Sequence, residues 1–122
     1  MYENRINKRK TGAAYERRAA EFLERNGVTI LERNYSLKIG EIDIIGKDKD
    51  DYIFVEVKYR KNTSYGYPNE AVTASKQKSI CRIATIYLQN KKLPNNGSFR
   101  FDVISILNDE ITWYKNAFNY KV

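Results

Sequence analysis

The chain has no histidine, one cysteine and two prolines among its 122 residues, and each shortage removes a class of chemistry. Without imidazole, there is neither a histidine-activated serine or cysteine nucleophile nor a zinc centre built on histidine. Cys81 has no second cysteine to pair with, so the chain forms no internal disulfide. It falls with Ile80, Ile83 and Ala84 in a helical pattern and reads as an inert core thiol. No apolar run approaches the ~20 residues that a membrane span requires. Met1 to Lys10 has basic residues with no apolar stretch behind them, which does not look like a signal peptide. A cytoplasmic protein without a membrane partner is expected. Any hydrolysis it performs has to be done with water, carboxylates and amines.

What is present suits one globular domain. A hydrophobic content of 42% and a charged fraction of 30% are ordinary for a folded soluble chain. The length allows one real core and is short for two. Lys and Arg number 22 against 15 Asp and Glu, a net charge of +7, with a pI near 9.5. That excess favours a polyphosphate partner, because each neutralised phosphate releases counterions. It also occurs in basic proteins that touch no nucleic acid.

Residues 1–10 carry Arg5, Lys8, Arg9 and Lys10 without apolar periodicity, and read as a basic flexible arm, laid along a phosphate backbone or simply solvated. Residues 11–122 then form the domain. Thr11 is a helix N-cap candidate and Gly27 a C-terminal stop, which predicts a helix of about four turns between them. At ~100° per residue, Glu16 falls between Ala19 and Ala20, near Gly12 and Leu23, while Arg17, Arg18, Glu21, Glu24 and Arg25 lie opposite. A carboxylate centred in an apolar stripe is costly to bury uncompensated. Either it has a functional or metal-linked role, or it sits at the rim.

Strands are predicted over 28–35, 41–45 and 52–58, a long helix over 72–91, and two more strands over 99–107 and 110–114. In the second strand Ile42 and Ile44 share one face, with Glu41, Asp43 and Ile45 on the other. In the third, Ile53, Val55 and Val57 oppose Phe54, Glu56 and Lys58. If the polar turn over 47–51 centres on Asp48 and Lys49 or one residue later, antiparallel pairing sets Asp43 opposite Glu56 and Glu41 opposite Lys58, ~5 Å apart at Cβ. Two acids so close repel unless a cation or proton lies between them. The plain alternative is a solvated hairpin face. Against it, Ile45 and Phe54 share that face, and Glu16 offers a third acid from the element best placed to cover it.

Beyond the third strand, Arg60, Lys61, Tyr65 and Tyr67 suit phosphate contact and base stacking, and equally suit anchoring of a loop. Lys76 and Gln77, early in the second helix, are within reach of a phosphate there, or are solvated like most helical lysines. Asp102, between Phe101 and Val103, reads as structural. Trp113, Tyr114, Phe118 and Tyr120 make a sticky C-terminal stretch that docks on the domain or on a second copy of the chain.

The order of a helix acid, a strand acid and then Glu56-Val57-Lys58 resembles the nuclease superfamily written PD-(D/E)xK. From Gly12 to Ile106 the chain more closely resembles the YraN family of small bacterial proteins. The match is carried by Gly12, Glu16, Arg33-Asn34, Gly40-Glu41-Ile42-Asp43, Phe54-Val55-Glu56-Val57-Lys58, Arg60, Glu70-Ala71-Val72, Lys76 and Phe101-Asp102. Ile42 stands where the motif name has proline.

The resemblance implies an α/β fold with a restriction-endonuclease-like core, a mixed sheet of about five strands flanked by helices, similar to Holliday-junction resolvases. It implies a metal-dependent endonuclease acting on nucleic acid, with DNA favoured over RNA and branched or structured substrates included. Asp43, Glu56 and the Val57 carbonyl would bind magnesium or manganese, with Glu16 at a second metal or a metal-bound water. Lys58 would orient and help deprotonate the attacking water, or stabilise the charge building on the phosphate. Arg60, Lys61, Lys76 and the basic arm would contact the nucleic acid, and a homodimer would supply one site per strand. The alternative is a nucleic-acid-binding module of the same fold without turnover.

Overall fold

The computed structural model describes the backbone of residues 2–60, 72–91 and 98–120, and side chains from residue 12 onward. The first element, α1 (Tyr2–Arg25), starts well before the expected cap at Thr11. Tyr2 to Lys10 contains neither glycine nor proline to interrupt a helix, so the backbone of the expected arm is part of α1. The side chains of Arg5, Lys8, Arg9 and Lys10 lie outside the described residues, as do Lys61, Tyr65, Tyr67 and Glu70.

The helix ends as the sequence predicts. Gly27 takes φ 91°; its N–H donates to the Glu24 carbonyl at 3.1 Å and the Val28 N–H to the Leu23 carbonyl at 3.0 Å. Those two bonds form a Schellman closure, and Leu23 and Val28 are both buried against the sheet.

Five strands follow in spatial order β1 (Thr29–Leu37), β2 (Gly40–Asp48), β3 (Asp51–Arg60), β4 (Ser98–Leu107) and β5 (Glu110–Phe118), with α2 (Ala74–Asn90) between β3 and β4. The β1–β2, β2–β3 and β4–β5 pairs are antiparallel, and β3–β4 is parallel. This is a mixed five-stranded α/β sheet flanked by two helices, consistent with a restriction-endonuclease-like core. Antiparallel neighbours join through two-residue turns: Asp48 pairs with Asp51 around Lys49 and Asp50, the later of the two expected positions.

The helices cover opposite faces. Ala19, Ala20 and Leu23 of α1 pack on Ile44, Ile53, Val55, Val57, Ile104 and Ile106. Ile80, Cys81, Ile83, Ala84 and Tyr87 of α2 pack on Ile42, Ile45, Phe54, Phe101, Val103 and Phe118. Cys81 is thus the buried core thiol expected. Among the described residues no helix is long and apolar enough to cross a membrane.

β5 runs past the predicted end at 114, so most of the aromatic C-terminal stretch is sheet. Phe118 stacks on Phe101 with centroids 5.1 Å apart, and the Trp113 indole N–H donates to Asp102 at 2.8 Å. These contacts are to the domain itself.

Candidate metal and active site

The site forms where β2 and β3 come apart. Their ladder holds from Asp48↔Asp51 to Ile44↔Val55 and goes no further. At the next position the Val57 N–H donates instead to Asp43 Oδ2, at 2.8 Å. A carboxylate therefore takes a donor that a regular sheet would give to a carbonyl.

Across the β1 side, Asn34 has φ 53° and lies between the Arg33↔Ile44 and Tyr35↔Ile42 pairs, facing Asp43. The backbone departs from a regular pleat there. In consequence Ile42 packs with the α2 cluster and Ile44 with the α1 cluster, which corrects the expectation that they share a face. The predicted pairings of Asp43 with Glu56 and of Glu41 with Lys58 are likewise absent, because the ladder stops at Ile44↔Val55 before reaching either.

β3 keeps its alternation. Val57 faces α1, while Glu56 points toward α2 and is 3% exposed. Glu56 Oε1 receives two amines, Lys76 Nζ at 2.6 Å and Lys58 Nζ at 3.5 Å. Oε2 is buried and has no hydrogen-bond partner among the described residues. A bare carboxylate oxygen away from water is expensive, and a cation or a proton would satisfy it.

Beside it, Glu16 from α1 and Glu41 and Asp43 from β2 each bring one oxygen to within 4.8 Å of the others. Glu41 is exposed and steadied by Ser36 Oγ, which donates to its Oε2 at 2.9 Å. Burial raises the Asp43 pKa first, followed by the charges of Glu56 and Glu16, against the Val57 N–H and Lys76; the result is a carboxyl pushed up to about 8. Glu16 is raised too, by burial foremost and by Glu41 and Glu56, against a hydrogen bond from Asn34. Burial lowers the Lys58 amine in spite of Glu56. For Lys76 burial works the same way, but the bond and charge of Glu56 outweigh it and the net shift is upward. Acids that resist ionising side by side, together with a buried orphan oxygen, fit a hard divalent cation with oxygen ligands.

Of the residues read from the sequence, Glu16, Asp43, Glu56, Lys58 and Lys76 are brought together. Glu41 was not anticipated as part of the acid group; its signal was the two-residue spacing from Asp43, which puts both on one side of a strand. Lys76 is exposed along its side chain, yet its amine is drawn onto Glu56. Thr73 Oγ1 accepts the Lys76 N–H at 3.1 Å and caps α2, so the lysine leaves the first turn aimed at β3. Gln77 is turned to the Val72 carbonyl at 3.1 Å instead. Arg60 is engaged at the end of β3, its Nη1 donating to the Tyr59 carbonyl at 2.9 Å.

A family model described as "Uncharacterised protein family UPF0102" matches residues 15–106, which span the whole acid group. A UPF0102 protein of Lachnoclostridium phytofermentans is 44% identical over 114 residues, covering 93% of this chain and 97% of its own. One of Clostridioides difficile is 46% identical over 115 residues, covering 93% and 100%. Another, of Aliivibrio fischeri, is 43% identical over 118 residues, covering 94% and 96%.

Proposed function

The chain belongs to the UPF0102 family, and from the site it carries we propose that it is a divalent-cation-dependent endonuclease of the PD-(D/E)xK kind. The substrate is nucleic acid, DNA before RNA, with branched or structured DNA included. The observation that carries this reading is the unsatisfied buried Oε2 of Glu56 beside Asp43, with an amine on the same strand.

Asp43 and Glu56 would hold magnesium or manganese, and Glu16 and Glu41, clustered with Asp43, would serve a second ion. When bound, such an ion supplies Lewis acidity toward a water and the phosphate oxygens. Lys58 projects from the same face as Glu56, where its amine can orient the attacking water and meet negative charge gathering on the phosphate. Its pKa is lowered by burial, so more of it is neutral and free to take a proton at a given pH than of an exposed lysine. The net charge of +7 favours polyanion encounter.

The test is a cleavage panel of linear, flapped and four-way-junction DNA and of RNA, run with magnesium, manganese and chelator. Cleavage that needs metal and falls by about a hundredfold or more in Asp43→Asn and Glu56→Gln is expected. Salt-sensitive binding without products under every metal would instead support the non-catalytic binding module. Equal cleavage by parent and variants would reject the site.

A further inference from the structure

Lys76 is tied to Glu56 more closely than any phosphate-contacting role asks. Its Nζ lies 2.6 Å from Oε1, while Lys58 approaches the same oxygen at 3.5 Å and Oε2 has no partner. One oxygen is served twice and the other not at all. Lys76 thereby places a positive charge on the carboxylate that a divalent cation would need.

Fastening α2 does not explain the contact. The helix is already held by the Thr73 cap and by burial of Ile80, Ile83, Ala84 and Tyr87. The two amines also differ in freedom. The Lys76 side chain is 43% exposed and that of Lys58 is 18% exposed. On its flexible four-carbon stem, Lys76 can swing into solvent without movement of α2.

We propose that Lys76 is a built-in counter-ion: it holds Glu56 in the metal-free protein, yields that carboxylate to an incoming divalent cation, and is thereby released toward the phosphate. It is a positioning residue for Glu56. This deepens the endonuclease reading and rests on it for the acids binding a divalent cation. Cation affinity is then set below what the acids alone would give, since the Lys76 ammonium at Oε1 repels a divalent cation arriving at Oε2 and is displaced as the cation takes the carboxylate.

The test uses the full chain without nucleic acid. In nitrogen-15 NMR of lysine ammonium groups, the Lys76 signal is assigned by its loss in Lys76→Gln. It is expected to move to the position of a solvated lysine as magnesium is added to the parent. In parallel, manganese affinity is measured by calorimetry for the parent, for Lys76→Gln, and for Lys78→Gln, which removes the same charge from an exposed place on α2. Lys76→Gln is expected to bind about tenfold more tightly than the parent, with Lys78→Gln close to the parent. A Lys76 signal unmoved at saturating magnesium overturns the proposal. So does equal tightening in both variants, or none in Lys76→Gln. If the parent binds neither metal, the endonuclease reading falls as well; if the parent binds and only the Lys76 effects are missing, that reading survives alone.

Discussion

Two buried acids illustrate how neighbours decide the use of a carboxylate. Asp102 is as inaccessible as Glu56, but both its oxygens are filled: Arg100 Nε donates to Oδ1 at 3.0 Å and Oδ2 at 3.2 Å, the Trp113 indole to Oδ2, and the Asn116 N–H to Oδ1 at 2.9 Å. Arg100 in turn spans Asp48 at 2.7 Å and Asp51 at 3.0 Å, tying the β2–β3 turn to β4. Asp102→Ala leaves the Trp113 indole and Asn116 N–H without their acceptor and the half-buried Arg100 with only Asp48 and Asp51, and should cost about 1–3 kcal/mol in urea unfolding, with manganese affinity unchanged. Glu56 lacks that saturation, and its charge acts on Asp43. In Glu56→Gln the second-largest cause of the upward Asp43 shift is gone, so a carboxyl carbon titration should find the Asp43 midpoint below about 8. An unmoved midpoint would mean that burial alone holds it there.

At the scale of elements, the sheet is tight enough at β2 to make a single methyl matter. A Cβ on Gly46 would come within 2.8 Å of Val28 Cγ1 and 3.0 Å of the Thr29 carbonyl oxygen, a backbone atom that cannot step aside. Gly46→Ala should therefore destabilise by about 1–3 kcal/mol, read as a lower urea midpoint with an unchanged slope. The strands themselves were legible because their cues are local. Alternation in 52–58 separated Glu56 and Lys58 from Val55 and Val57, and the polar turn fixed the register as far as Ile44↔Val55, one pair short of the expected Asp43 and Glu56. What stayed hidden depends on partners distant in sequence. The break in β2 at Asp43 involves Asn34 on another strand and the Val57 N–H on a third. Glu41 joins Glu16 across two elements, and Lys76 reaches Glu56 from a helix in another layer. The early start of α1 was hidden for a different reason: Thr11 is a good cap, yet nothing before it stops the helix from continuing.

For the molecule as a whole, the acid group links folding to pH and to metal. Unfolded, Asp43 ionises near its ordinary value of 3.8; folded, it does so at about 8. Between those values the native state holds the extra proton, so stability falls as pH rises from about 4 to about 8 and then levels off. Asp51 acts in the other direction, its carboxyl being lowered, first by a hydrogen bond with Ser98 and then by Arg100. The net charge of +7 also grows on acidification and works against the compact state. The contribution of Asp43 is therefore isolated by difference. In chelator, the melting temperature of the parent minus that of Asp43→Asn should decrease from pH 4 to pH 8, because asparagine has no proton to give up. A divalent cation prefers the ionised carboxylate and stabilises only the folded form, so magnesium should raise the parent melting temperature more at pH 8 than at pH 5. Asp43→Asn should show little of that gain. If parent and variant follow the same pH curve in chelator, the strained proton does not belong to Asp43. If magnesium stabilises both equally, the ion binds elsewhere and the acids at the β2–β3 split are not its ligands.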